Sequence, residues 1–293
     1  STIGRGKDML MINNILKRLS MRTRIFSCSK SMFTTTRPPL PLKDLMVVTL
    51  EQAVAAPYLT SRLADAGARV VKVEREDSGG DFARYYDKFA GNEMSSYFVW
   101  LNRGKESVQL DLRREEDASL VKNLIGKADV FVQNLKPSSA DRLGFGSETL
   151  REEFPRLITV DISGYGTSSE KFKGKKAYDL LVQAESGLCN VSGVGGEATR
   201  VGVSVCDIAC GMYAHAAVLE AIMTQRETGQ GTCIDVSLFS SVADWMTVPL
   251  LHYESDGTFS YIDIYISHST NENNNNQQHT GKGPKATGLA HPS

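Results

Sequence analysis

Residues 44–74 read DLMVVTLEQAVAAPYLTSRLADAGARVVKVE, and the order of patterns within them decides the fold. DLMVVTL is a short, almost unbroken apolar run, which suits a strand covered on both faces. APYLTSRLADAG then reads as a helix opening at Pro57 and closed by Gly67, with proline in the first turn and glycine past the last. ARVVKVE is a second buried strand. A helix between two such strands returns the chain to the same edge, which makes them parallel neighbours.

The same alternation continues outward. SVQLDL (107–112) is a third strand with a period of two, and EEDASLVKNLIGKA a helix with acids in its first turn, where they complement the helix dipole. DVFVQN follows, then short helical pieces at SADRLGF and SETLREEF, the strand RLITVDIS and the helix YDLLVQAESGL. SVCDIACGMYAHAAVLEAIMTQRETG is a long apolar helix ended by Gly229, TCIDVSL a strand, and SSVADWMTVPLLHY a last helix. The expected class is α/β, a parallel Rossmann-like sheet flanked by helices. It occupies residues 41–253, after a leader over 1–40 and before a low-complexity tail over 254–293. Ligands of such sheets sit beyond the carboxyl ends of the strands. The first strand-to-helix turn, TLEQAVAAP, carries neither GxGxxG nor GxxxxGK[ST], so no dinucleotide or P-loop fingerprint is present. SGVGGEA, from Ser192, lies between two helices and reads as a flexible turn.

Composition narrows the function. The 293 residues carry a net charge of −1, which argues against a general nucleic-acid binder. No apolar run approaches the ~20 residues of a membrane span. The five cysteines (Cys28, Cys189, Cys206, Cys210, Cys233) are odd in number and form no CxxC, so reduced, buried thiols are expected. The histidines are scattered and no metal constellation or GxSxG elbow appears. Residues 1–40 hold eight Lys and Arg against Asp8 alone. That is the pattern of a mitochondrial presequence, with a cytoplasmic or peroxisomal location as the alternative.

The candidate for chemistry is Asp207, set in GVSVCDIACGM among small apolar residues. From the residues alone, Ser204-x-x-Asp207 reads as a capping box. Burial raises a carboxylate pKa by up to ~3–5 units and a helix N-terminus gives part of that back, so the group is expected to stay largely ionised at neutral pH.

A resemblance adds a second role. PLKDLMVVTLEQAVAAPYLTSRLADAGARVVKVER, LNRGKESVQLDL, ADVFVQNLKPSSADRLGF, ITVDISGYG, YDLLVQAESGL, VGVSVCDIACGMYAHAAVLEAI and ETGQGTCIDVSLFSS stand in this order from about residue 41 to 250. In that order the chain resembles the class III CoA-transferases, the formyl-CoA and carnitine-type enzymes. The resemblance implies that Asp207 is the nucleophile and that CoA moves between an acyl-CoA and a free (di)carboxylic acid through an aspartyl-CoA thioester. It places CoA contacts on Gln52, Ala53, Arg75, Leu110, Arg113, Asn134, Arg142 and Lys176. Arg113 stands where the family often has Lys, and Leu135 where an aromatic is common. The coenzyme A thioester is then a substrate, with no cofactor bound permanently. Acyl-CoA and small acids are the partners, with no nucleic acid or membrane, and EQAVAAP is nearest to members handling C4–C6 dicarboxylic acids. The family also implies an interlocked homodimer and a smaller second domain, mostly missing from this sequence. Two alternatives stay open: a 2-methylacyl-CoA racemase, whose His-Asp pair would fall at Tyr178-Asp179, and an inactive fragment of a CoA-transferase.

Overall fold

The computed structural model describes residues 39–256 apart from 137, 168–171, 173–174 and 194–196. The leader expected over 1–40, the tail over 254–293 and the middle of SGVGGEA therefore lie, but for their edges, outside the described residues.

Six strands form one sheet in the order β3-β2-β1-β4-β5-β6. They are β1 (Met46–Leu50), β2 (Arg69–Arg75), β3 (Glu106–Leu110), β4 (Val130–Gln133), β5 (Ile158–Ser163) and β6 (Cys233–Ser237). Every neighbouring pair is parallel, with Val47 opposite Val70 on one side of β1 and opposite Val130 on the other. The helices are α1 (Ala55–Asp65), α2 (Ser96–Leu101), α3 (Glu115–Ile125), α4 (Ser139–Arg142), α5 (Ser147–Glu153), α6 (Asp179–Glu185), α7 (Leu188–Ser192), α8 (Val205–Thr228), α9 (Leu238–Trp245) and α10 (Thr247–Asp256).

Strand residues alternate between two cores because successive side chains point to opposite faces. Val47, Val70, Val130, Val132, Ile158 and Val160 pack with α1, α8 and α9. Val48, Leu50, Val73 and Phe131 pack on the other face with Val121, Ile125 and Leu150 from α3 and α5. Burying each such Val or Leu contributes about 1.5–3 kcal/mol, so both faces need their helices and the strands carry little polar alternation.

The helix expected to open at Pro57 begins two residues earlier, at Ala55. Pro57 sits in its first turn, where backbone N–H groups have no intrahelical partner to lose. YDLLVQAESGL forms α6, and Gly187 in the left-handed conformation (φ 84) separates it from α7. SSVADWMTVPLLHY divides into α9 and α10 at Met246, which has φ −85. The segment SYFVWL forms α2, which was not foreseen. By length and composition α8 could cross a membrane. Its residues Cys206, Ala209, Cys210, Ala214 and Val218 are instead buried in the core, so its apolar character serves packing. The cysteine expectation holds in part: four described thiols are free, but only Cys206 and Cys210 are buried, while Cys233 is exposed on the edge strand β6.

Candidate active site

The strand order changes direction at β1, whose neighbours are β2 and β4. Crossovers leaving in opposite directions open a crevice at the carboxyl ends of these strands. A cleft of about 1370 Å³ lies there, and it brings together Gln52, Ala53, Arg75, Leu110, Arg113, Asn134, Arg142, Lys176 and Asp207. These residues come from separate strand ends and loops, so their common location depends on the sheet order.

The turn after β1 is held open in an unusual shape. Ala53 has φ 63, a left-handed conformation that costs a residue with a Cβ about 1–2 kcal/mol. The Ala53 N–H donates to Asp81 Oδ1 at 3.1 Å. Asn134 closes the other side: Gln52 N–H donates to its Oδ1 at 2.9 Å, and its Nδ2 donates to Gln52 O at 2.8 Å. The Asn134 amide is thus engaged in shaping the turn.

Beneath the turn is a buried ionic network. Lys72, 1% exposed, donates to Asp81 Oδ2 at 2.6 Å and to Asn102 Oδ1 at 2.8 Å. Lys105 donates to Glu51 Oε1 at 2.6 Å. Glu51 Oε2 accepts from the hydroxyls of Thr60 and Thr49. Burial works against the Glu51 charge, but Lys105 and Lys72 outweigh it and lower the pKa. Burial pushes Lys105 down to about 8 despite the attraction of Glu51. Each ion has a partner, without which its desolvation would cost several kcal/mol, and the network ties β1, β2 and α1 to the Asp81 loop.

Asp207 stands in the first turn of α8 and lines the same cleft. The expected capping box is not formed, since Ser204 makes no side-chain cap. A different acid supplies the cap: Asp179 Oδ1 accepts the N–H of Cys206 at 2.7 Å and of Asp207 at 3.2 Å. Asp179 is held in turn by Gln183, whose Nε2 donates to Oδ2 at 2.6 Å and whose Oε1 accepts from Val201 N–H at 2.8 Å. The expectation of a largely ionised Asp207 is also corrected. Burial, reinforced by the negative charge of Asp179, pushes its carboxyl up to about 7. Tyr86 faces the same carboxylate: burial, then the Asp207 charge, raise its phenol to about 12.

Gly211, one turn beyond Asp207, sets the approach of α8 to α1. A Cβ there would lie 2.7 Å from Ala55 O and 2.9 Å from the Tyr58 ring. The absent side chain lets α8 pack closely on α1, and Asp207 and the Gln52–Ala53 turn line the same cleft.

The cationic residues are grouped but occupied. Arg75 donates to both carboxylate oxygens of Asp77, at 3.0 and 2.8 Å. Arg113 donates to Asp77 Oδ2 at 3.0 Å and to Asp111. Arg142 donates to Ser139 Oγ at 2.9 Å, and Lys176 and Leu110 line the wall. Reading the sequence missed Asp77 and Asp81. It named Asp179 only as the position of a racemase pair with Tyr178, not as the cap of a helix that starts 26 residues later.

Fold and cleft together define a parallel α/β protein with a ligand crevice at its switch point and a half-buried acid, Asp207, within it. The chain belongs to CoA-transferase family III, whose model matches residues 42–276. It is 36% identical over 226 residues to an acetyl-CoA:oxalate CoA-transferase of Acetobacter aceti, covering 76% of this chain and 57% of that protein. It is 37% identical to a succinyl-CoA:mesaconate CoA-transferase of Haloarcula hispanica (74% and 56% covered). It is 34% identical to the human succinyl-CoA:glutarate CoA-transferase (69% and 46% covered). Among solved structures, a CAIB/BAIF family protein from Brucella suis superposes with a TM-score of 0.70 at 32% identity, covering 75% of this chain and 59% of that one. The chain therefore spans about half the length of the curated relatives it matches.

Proposed function

We propose that the protein is an acyl-CoA:carboxylate CoA-transferase with Asp207 as the nucleophile. The Asp207 carboxylate attacks the thioester carbonyl; the C–S bond breaks, leaving a mixed anhydride and CoA thiolate. The thiolate attacks the aspartyl carbonyl, releasing the donor acid and leaving aspartyl-CoA. The acceptor carboxylate displaces the thiolate to form a second anhydride. The thiolate then attacks the acceptor's acyl carbon, which yields the new acyl-CoA and frees Asp207. A carboxylate suits this sequence because each acid exchange runs through an anhydride of two carboxylic acids, which a Ser or Cys nucleophile does not form.

The observation that carries the reading is the Asp207 carboxyl, raised to about 7, in the cleft that also collects the expected CoA contacts. The similarity to transferases named for oxalate, mesaconate and glutarate supports a short dicarboxylic acid as acceptor. The interlocked homodimer, the contribution of a second domain, and mitochondrial targeting by the basic leader belong to the same proposal. Incubation of the full-length protein with succinyl-CoA, followed by digestion and mass analysis, is expected to place CoA on the Asp207 peptide. Undiminished transfer by an Asp207→Asn variant would overturn it.

A further inference from the structure

An acid in the first turn of a helix is ordinarily stabilised by the unpaired N–H groups there. Around Asp207 three of these groups are taken. Val205 N–H donates to Val203 O at 2.8 Å, while Ile208 N–H makes the first intrahelical bond, to Ser204 O at 3.0 Å. Cys206 N–H and Asp207 N–H both donate to Asp179 Oδ1. The N–H groups of Cys206 and Asp207 itself are thus not free for the Asp207 carboxylate, and the group that has taken them is itself an acid.

We infer that Asp179 is a positioning residue for Asp207: it closes the first turn of α8 from outside, fixing the backbone that carries Asp207, and takes up two of the N–H groups that would otherwise face that carboxylate. The inference rests on the reading of Asp207 as nucleophile and deepens it. Asp179 is itself fixed, since Gln183, four residues on along α6 and 1% exposed, bonds to it and to the 201–203 backbone. The placement has a chemical consequence. Acylation converts the Asp207 carboxylate into a neutral anhydride or thioester, so it removes the negative charge facing Asp179. The free carboxylate is destabilised relative to the acylated form, which favours acyl-enzyme formation.

The other ionisable groups near the pair do not substitute for this effect. Tyr86 comes from the segment after β2, Tyr178 from the start of α6, Cys189 from α7, and Cys206 and Cys210 from α8 itself. Burial raises Tyr86 to about 12, Cys210 to about 12, and the Cys189 and Cys206 thiols above their ordinary value. Lys176 and Arg200 line the same cleft.

The test is a titration of the Asp207 carboxyl by NMR in carbon-13 aspartate-labelled full-length protein, assigned by its disappearance in Asp207→Asn. The wild-type midpoint is expected near 7. In Asp179→Asn an amide oxygen still accepts both N–H bonds but carries no charge, and the midpoint is expected to fall by about one unit or more. A single-turnover profile of Asp207 acylation is expected to shift its acid limb by the same amount. Asp179→Ser, a hydroxyl cap, serves if the Asn variant does not fold. A wild-type midpoint below 5, or one unmoved by removing the Asp179 charge, overturns the inference. Absence of a CoA adduct with a midpoint that still moves would leave this relationship standing and reject the CoA-transferase reading instead.

Discussion

Asn134 holds Gln52 by both of its backbone polar groups, accepting from its N–H at 2.9 Å and donating to its carbonyl at 2.8 Å. One residue follows β4 and the other follows β1, so the pair bridges the point where the sheet order reverses. The same groups are what a strand neighbour would have satisfied had the ladder continued. Their side-chain replacement lets the chain leave the sheet and still keep its first turn ordered.

Asn134→Ala leaves two half-buried backbone groups without a partner, each costing about 1–3 kcal/mol if water does not reach it. A loss of about 2 kcal/mol in urea unfolding is expected, along with weaker CoA binding by calorimetry. A binding loss without any stability loss would instead mean that Asn134 acts on the ligand directly.

Gly211 gives a prediction about helix approach. Since a Cβ there meets backbone oxygen at 2.7 Å, Gly211→Ala cannot be absorbed by a side-chain rotation. The two helices must separate, at a cost of about 1–3 kcal/mol. Because α1 begins at the Gln52–Ala53 turn, the strain reaches the site. Gly211→Ala is expected to lower both the melting temperature and the rate of Asp207 acylation.

Asp77 lies between two arginines that the sequence assigned to CoA, and it accepts from both. A phosphate arriving at Arg75 or Arg113 must displace it or share them. Asp77→Asn is therefore expected to tighten CoA about two- to fivefold at low salt, an effect that fades as salt rises. Arg75→Ala should weaken binding. Calorimetric titration with CoA and with dephospho-CoA distinguishes which phosphate is involved. Weaker binding in Asp77→Asn would show that Asp77 pre-organises the arginines.

The sheet was legible because its signal is local. DLMVVTL and ARVVKVE are apolar runs that carry their strand assignment within a few residues, and Gly229 ends α8 with φ 73, as its place after the apolar run implied. The break at Met246 was not legible, because the apolar pattern continues across it. Among the expected site residues, Gln52, Arg75 and Asn134 were read as standing at or just after strand ends, and all three line the cleft there. Asp179 was named only for the racemase alternative; its capping role was not readable, because it lies in hydrogen bonds to backbone 27 and 28 residues away. The ionic network was hidden for a similar reason: Lys72 and Glu74 look like solvated residues until the Asp81 loop folds over them and Asp81 N–H donates to Glu74 Oε2 at 2.8 Å.

The raised carboxyl of Asp207 also makes a stability prediction. Its folded-state value of about 7 lies above the ordinary 3.8, so the folded protein holds the proton more tightly than the unfolded chain. The stability this supplies is fully present below 3.8 and is lost as pH rises through about 7. In wild type an isolated, partly desolvated negative charge then remains beside Asp179, while Asp207→Asn never acquires it. The stability advantage of Asp207→Asn over wild type is expected to widen by about 1–3 kcal/mol between pH 5 and pH 8. Urea unfolding followed by tryptophan fluorescence at the two pH values measures it, and Asp179→Asn should remove part of the widening. An advantage that stays constant with pH would mean that the carboxyl is solvated well enough to titrate at its ordinary value, and that its reactivity has another source.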